Sequence, residues 1–205
     1  MLKEDFKKLC SKYSKDLLLV EKFWMEIEKA YNSSKRFYHN LKHLQHLFNS
    51  LEEVKHEIKD WDAVSFSVFY HDIVYDVLSK NNEEKSAELA VERLTQLSVE
   101  INIIAKVKQQ VLATQSHQQS EDDDVNFFTD ADLSVLGTSW EVYSLYSKKI
   151  RKEYAVYPDV IYKPGRRKLI EHFLSMKRVF KTDHFFSALE KSAKENLQKE
   201  LSTIK

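Results

Sequence analysis

Apolar residues recur at spacings of three and four almost from one end of the chain to the other, the period of helices that each bury one face. This pattern predicts helices over 3–12, 15–32, 40–58, 61–78, 82–97, 99–116, 131–156, 165–178 and 182–202. Two breaks interrupt it. Residues 118–129, containing Gln118 to Asn126, are polar and too acidic to pack, and are expected to form a mobile loop beside the following segment. Residues 157–165 hold Tyr157, Pro158, Pro164 and Gly165, which combine helix-stopping and turn chemistry. Asn81-Asn82 followed by Glu83-Glu84 reads as a cap with acids in a first turn, where the helix dipole favours them.

Composition strengthens the helical reading. The 205 residues include two glycines and two prolines, against about fifteen and about ten at average usage. So few turn-forming residues argue against a β-rich fold, and the fold class is all-α. The two glycines, Gly137 and Gly165, lie too far apart for a phosphate loop or a dinucleotide-binding turn. A G-x-S-x-G nucleophile elbow is excluded for the same reason. With 42% hydrophobic residues, the chain is long and apolar enough to bury one large core. Thirty-two basic and thirty-two acidic side chains cancel, which argues against a nucleic-acid polymer or an anionic membrane as partner. Cys10 is the single cysteine, the first residues are too charged for a secretory signal, and no apolar run reaches membrane-spanning length. These features predict a soluble, cytoplasmic protein.

Candidate chemistry is concentrated in two segments. Around Tyr38 to Phe48, Leu41, Leu44, Leu47, Phe48 and Leu51 form one apolar stripe, while His39, His43 and His46 share another side. That side is either a ligand face or a solvated one. His39 and His43 have zincin spacing, but Asn40 stands where the zincin glutamate would be. In Val64 to Leu78 apolar residues point in nearly every direction, so His71 and Asp72 interrupt a central, buried helix. A buried carboxylate must be paired or hold a metal. Imidazole with carboxylate suits Zn, Mn, Fe or Ni.

His43, the adjacent pair His71-Asp72, and an aspartate in Asp130 to Gly137 together resemble the H…HD…D pattern of the HD-domain metal-dependent phosphohydrolase superfamily. The likeness is closer to one branch, small bacterial proteins described as predicted HD-superfamily phosphohydrolases. Seven ordered blocks carry it: Arg36 to His43, Phe69 to Asp76, Asn82 to Ala87, Thr114 to His117, Asp130 to Gly137, Ile150 to Tyr154, and Gly165-Arg166. The resemblance implies an HD-like multi-helix bundle forming a single domain over 1–205, with its motif core at about 36–137 and helices 138–205 packed on it.

It also implies a divalent metal ion (Mn, Mg, Ni, Co, Zn or Fe, one or two) held by His43, His71, Asp72 and one of Asp130 and Asp132, with Asp130 preferred. His117 stands where HD proteins with two metals carry extra histidines. The implied activity is hydrolysis of a small phosphorylated molecule, such as a nucleotide. Lys85, Arg166 and His39 are then the candidate phosphate contacts, since arginine binds phosphate bidentately and lysine as a compact charge. Glu83, Glu84 and Asp76 are candidates for proton transfer or for orienting the ligands. Two other readings stay open: a di-iron oxygenase of HD type, and a non-catalytic binding module with a structural metal.

Overall fold

The computed structural model describes residues 1–204. Among these residues there are ten α-helices, one short 3-10 helix and no strand. The helices are α1 (Leu2–Cys10), α2 (Leu17–Tyr31), α3 (Leu41–Glu53), α4 (Trp61–Tyr70), α5 (Asn82–Gln96), α6 (Ile101–Ala113), α7 (Asp123–Leu133), α8 (Trp140–Glu153), α9 (Asp159–Ser175) and α10 (Asp183–Thr203). The 3-10 helix, Ser134–Gly137, follows α7. No described helix is long and apolar enough to cross a membrane. The chain divides into two compact units, Met1–Thr129 and the residues from Asp130 onward, with the boundary inside α7.

In the first unit, α4 is the central helix. Every residue from Ala63 to Tyr70 is buried, and the helix contacts α1, α3, α5 and α6. Its apolar residues in all directions are thereby satisfied. Three of the starts in this unit are capped by side chains that accept otherwise orphaned N–H groups. Asp16 receives Leu18 N and Leu19 N at 3.1 and 3.0 Å, Asn40 receives Lys42 N at 3.0 Å, and Asp60 receives Ala63 N at 3.0 Å. Asn81 makes no such cap at α5. Asn82 instead bonds back across the preceding turn, accepting from Asp76 N at 3.1 Å and donating to Asp76 O at 2.9 Å.

Four expectations are corrected. The helix predicted over 131–156 is broken between Leu133 and Trp140, where the 3-10 helix lies. The helix predicted over 61–78 ends at Tyr70, because side chains from elsewhere take the backbone groups beyond it. The Arg36 guanidinium donates to Asp72 O at 2.7 Å and Ile73 O at 3.0 Å, and Ser86 Oγ bonds Val74 N and Val74 O. The predicted loop at 118–129 is helical from Asp123. Asp124 is 2% exposed, and its carboxylate accepts Lys59 N and Asp60 N, each at 2.8 Å. An acid that receives two backbone donors can be buried. Pro164 and Gly165 also lie inside α9, while Pro158 alone marks its start.

The second unit is built on α8, α9, α10 and the 3-10 helix, whose main contact is with α10. Gly137 makes that contact possible. A Cβ on it would lie 2.5 Å from Leu189 Cβ and 2.8 Å from Leu189 O, whereas one on Gly165 would meet nothing within 4 Å. Gly137→Ala is therefore expected to destabilise by about 1–3 kcal/mol through overpacking. Gly165→Ala, in an open helical position, should stabilise by about 0.5–1 kcal/mol. Urea midpoints of the two variants should move in opposite directions.

Candidate metal centre

Three helices supply the donor atoms. Capping at Asn40 starts α3 so that His43 falls in its first turn, 3% exposed. His71 is the C-terminal cap residue of α4, 1% exposed. Its Nδ1 lies 3.0 Å from Val68 O. A carbonyl can only accept, so Nδ1 carries the proton and Nε2 presents a lone pair. That Nε2 lies 3.2 Å from His43 Nε2.

Asp132 completes the group. One ligand atom from each of His43, His71 and Asp132 lies within 4.8 Å of the others. Asp132 rides on α7, the helix continuous with the first unit. On that helix Phe128 sets its ring edge-on to His71, centroids 5.7 Å apart. Asp132 follows Phe128 by four residues and so shares its face. Asp130 is two residues on from Phe128 and points elsewhere.

Asp130, the aspartate preferred from sequence, is engaged differently. Its carboxylate accepts Lys181 N twice at 2.9 Å, and Thr182 N and Thr182 Oγ1 each at 2.8 Å, at the start of α10. Burial pushes this carboxyl up, against the Lys181 charge and those hydrogen bonds.

Asp72 borders the cluster. Its Oδ2 lies 3.2 Å from His71 Nε2 and 3.9 Å from His43 Nε2. The same oxygen is 3.9 Å from His39 Nε2, so His39 stands beside the cluster, its ring 4.4 Å from that of Tyr75. The backbone at Asp72 is pinned. Asp72 N donates to Tyr31 Oη at 3.2 Å, and Arg36 holds the carbonyls of Asp72 and Ile73 while lying over the rings of Tyr31 and Tyr75. Tyr31 and Phe128 are supports that sequence reasoning missed, since each reads as an ordinary core aromatic. Arg36 stands in the first resembling block, which was its only signal.

The remaining candidates are placed as follows. Glu83 and Glu84 are half-buried in the first turn of α5. Burial pushes the Glu83 carboxyl up; its own N–H opposes this, the charges of Asp72 and Glu84 add to it, and His117 opposes it. Glu84 Oε1 accepts Gln115 Nε2 at 2.9 Å. His117 sits just beyond α6 with φ 51, a left-handed conformation uncommon outside glycine. It is not one of the three clustered residues. The Asp76 carboxylate closes its own turn by accepting Leu78 N at 3.0 Å. Lys85 is exposed on α5. Arg166 is taken up by Glu200, its Nε and one terminal nitrogen each 2.9 Å from a carboxylate oxygen.

Two imidazoles and a carboxylate, with one imidazole tautomer set by a backbone carbonyl, are a donor set that fits a divalent cation. The fold and site thus define an all-helical protein with a buried His–His–Asp cluster able to chelate a metal ion. No family model, curated protein or solved structure matches the chain.

Proposed function

We propose that this protein is a metal-dependent phosphohydrolase of the HD type, acting on a small phosphorylated molecule, with nucleotides the first class to test. The observation that carries the proposal is the pair of facing Nε2 atoms of His43 and His71, 3.2 Å apart, with the Asp132 carboxylate beside them. The ordered blocks that resemble HD phosphohydrolases support the same reading. His43, His71, Asp132 and the bordering Asp72 would hold the ion. When bound, a divalent ion supplies Lewis-acid activation of water and neutralises charge on a phosphoryl oxygen.

The chain's own groups do the rest. Val68 O keeps the proton on His71 Nδ1, so that Nε2 stays a donor. Arg36 and Tyr31 hold the backbone of Asp72, which keeps its carboxylate against the histidines. Glu83 is the group suited to move a proton, because burial raises its half-buried carboxyl and so favours its protonated form. Lys85 is the exposed cation on the same helix suited to receive a phosphate, with His39 as a further donor. Arg166 has no part in this scheme, since Glu200 occupies its fork.

The test is phosphate or pyrophosphate release from a nucleotide panel by purified protein loaded with Mn, Co, Ni or Mg. The double variant His71→Ala with Asp72→Ala should lose activity by a factor on the order of 1000 or more, the worth of several kcal/mol of charge stabilisation. Undiminished turnover in that variant overturns the proposal.

A further inference from the structure

A cavity of about 460 Å³ opens among α1, α3 and α4. That volume is in the range of small-molecule sites. It lies on the far side of α3 from the metal ligands. At 100° per residue, Gln45 and Asn49, which line it, are turned by roughly 200° and 240° from His43.

Its lining is neither a plain apolar groove nor a charged patch. Phe48 and Trp61 supply aromatic surface, and the buried Phe69 ring lies behind Phe48, tilted against it with centroids 5.0 Å apart. Ser65, on its inner surface, is 4% exposed and its hydroxyl makes no hydrogen bond within the protein. Ser67 on the same helix, by contrast, bonds Ala63 O and Gln110 Oε1. Gln45 Nε2 donates to Asn49 Oδ1 at 3.0 Å. This bond orients both amides and leaves the Gln45 carbonyl as an acceptor and the Asn49 amino group as a donor.

The rim carries no net charge. Lys12 pairs with Asp62 at 2.6 Å, Lys55 pairs with Glu52 at 2.9 Å, and Lys8 is matched by Asp5 one turn away on α1. A phosphate would therefore find no surplus of cations. What remains is a cavity walled in part by aromatic side chains, with one acceptor, one donor and a hydroxyl, the features that read the edge of a nucleobase.

We propose that this cavity binds a nucleoside through its base, at a site separate from the metal cluster. Gln45 and Asn49 pair with the base edge, Phe48 and Trp61 flank it, and Ser65 meets its inner end. The proposal does not depend on the phosphohydrolase reading, and the experiment separates the two. Saturation-transfer NMR is run on the full chain stripped of metal, with adenosine, guanosine, cytidine and uridine at millimolar concentration, and with adenosine monophosphate for comparison.

The expected result is saturable binding of at least one nucleoside, with the monophosphate binding no tighter. Asn49→Ala, at an exposed helix position that tolerates substitution, should weaken binding about five- to tenfold, the worth of one hydrogen bond. Ser65→Leu should abolish it by filling the inner end, and His71→Ala should leave it unchanged. No binding by any nucleoside overturns the proposal. So does binding that survives both Asn49→Ala and Ser65→Leu, or that is lost in His71→Ala.

Discussion

Removing metal from the loaded protein with a chelator is expected to lower its melting temperature by about 5–10 °C, and His71→Ala is expected to show no such change. The magnitude follows from linkage. An ion that binds only the folded chain, at about a hundred times its dissociation constant, adds about 2.7 kcal/mol. For a chain of this length each kcal/mol is worth about 2–4 °C. His71 is the sharpest position at which to remove the effect. Its Nε2 lies 3.2 Å from both His43 Nε2 and Asp72 Oδ2, so the substitution takes away the atom around which the other donors gather.

A control separates ligation from a general loss of histidine. His56 is exposed, 3.8 Å from Glu57, and His56→Ala should keep the full chelation response. Elemental analysis of the purified protein completes the measurement. Metal in the wild type and none in His71→Ala is the expected result. If no metal co-purified and chelation left the melting temperature unchanged, a binding module without metal would be the better account. A redox-active ion at two per chain would instead favour the oxygenase reading.

Arg166→Ala is expected to cost about 3–5 kcal/mol of stability, the usual effect of breaking a buried ion pair from one side. Arg166 is 6% exposed and Glu200 is 6% exposed. Beyond the two guanidinium bonds, the Glu200 carboxylate receives Ser147 Oγ at 2.9 Å and a short hydrogen bond from Tyr143 Oη. Without the guanidinium, the carboxylate stays buried and its charge loses its main compensation. Glu200→Gln removes that charge while keeping an acceptor, so Arg166→Met combined with Glu200→Gln should be more stable than Arg166→Ala alone. Urea unfolding of the single and double variants measures this coupling.

The pH dependence has a definite sign. Burial pushes the Glu200 carboxyl up, but its bonds to Arg166, Tyr143 and Ser147 outweigh burial and hold it below the ordinary carboxylate range. Its contribution is therefore complete above that ordinary range and is lost as pH falls through the lowered value in the folded protein. Glu200→Gln should flatten this acid limb of the stability curve. The same pairing explains why an arginine in a block resembling a phosphohydrolase motif is held by the protein itself.

Local pattern alone placed several elements well. α2 and α5 lie within two residues of the ranges that apolar periodicity predicts, and Gly and Pro scarcity was enough to exclude sheet. His71 was also legible, because a polar side chain inside an otherwise apolar helix needs a reason to be there, and His43 through the blocks that resemble HD phosphohydrolases. Asp132 was not. Asp130 and Asp132 have the same chemistry and stand two residues apart, and only the packing of Phe128 on His71 shows which carboxylate shares that face.

What the sequence determines by itself is thus the helical class, since it depends on composition and on periods of three and four residues, and a short set of histidines and acids from which the donors are drawn. The tertiary structure decides where helices end and which charges are buried. α4 stops at Tyr70 because Arg36 and Ser86, distant along the chain, receive its outgoing backbone. The acidic run near 121–124 enters a helix because Asp124 meets the N–H groups of Lys59 and Asp60. In each case the deciding partner lies many residues away, so the free energy of the buried group depends on contacts that no local window contains.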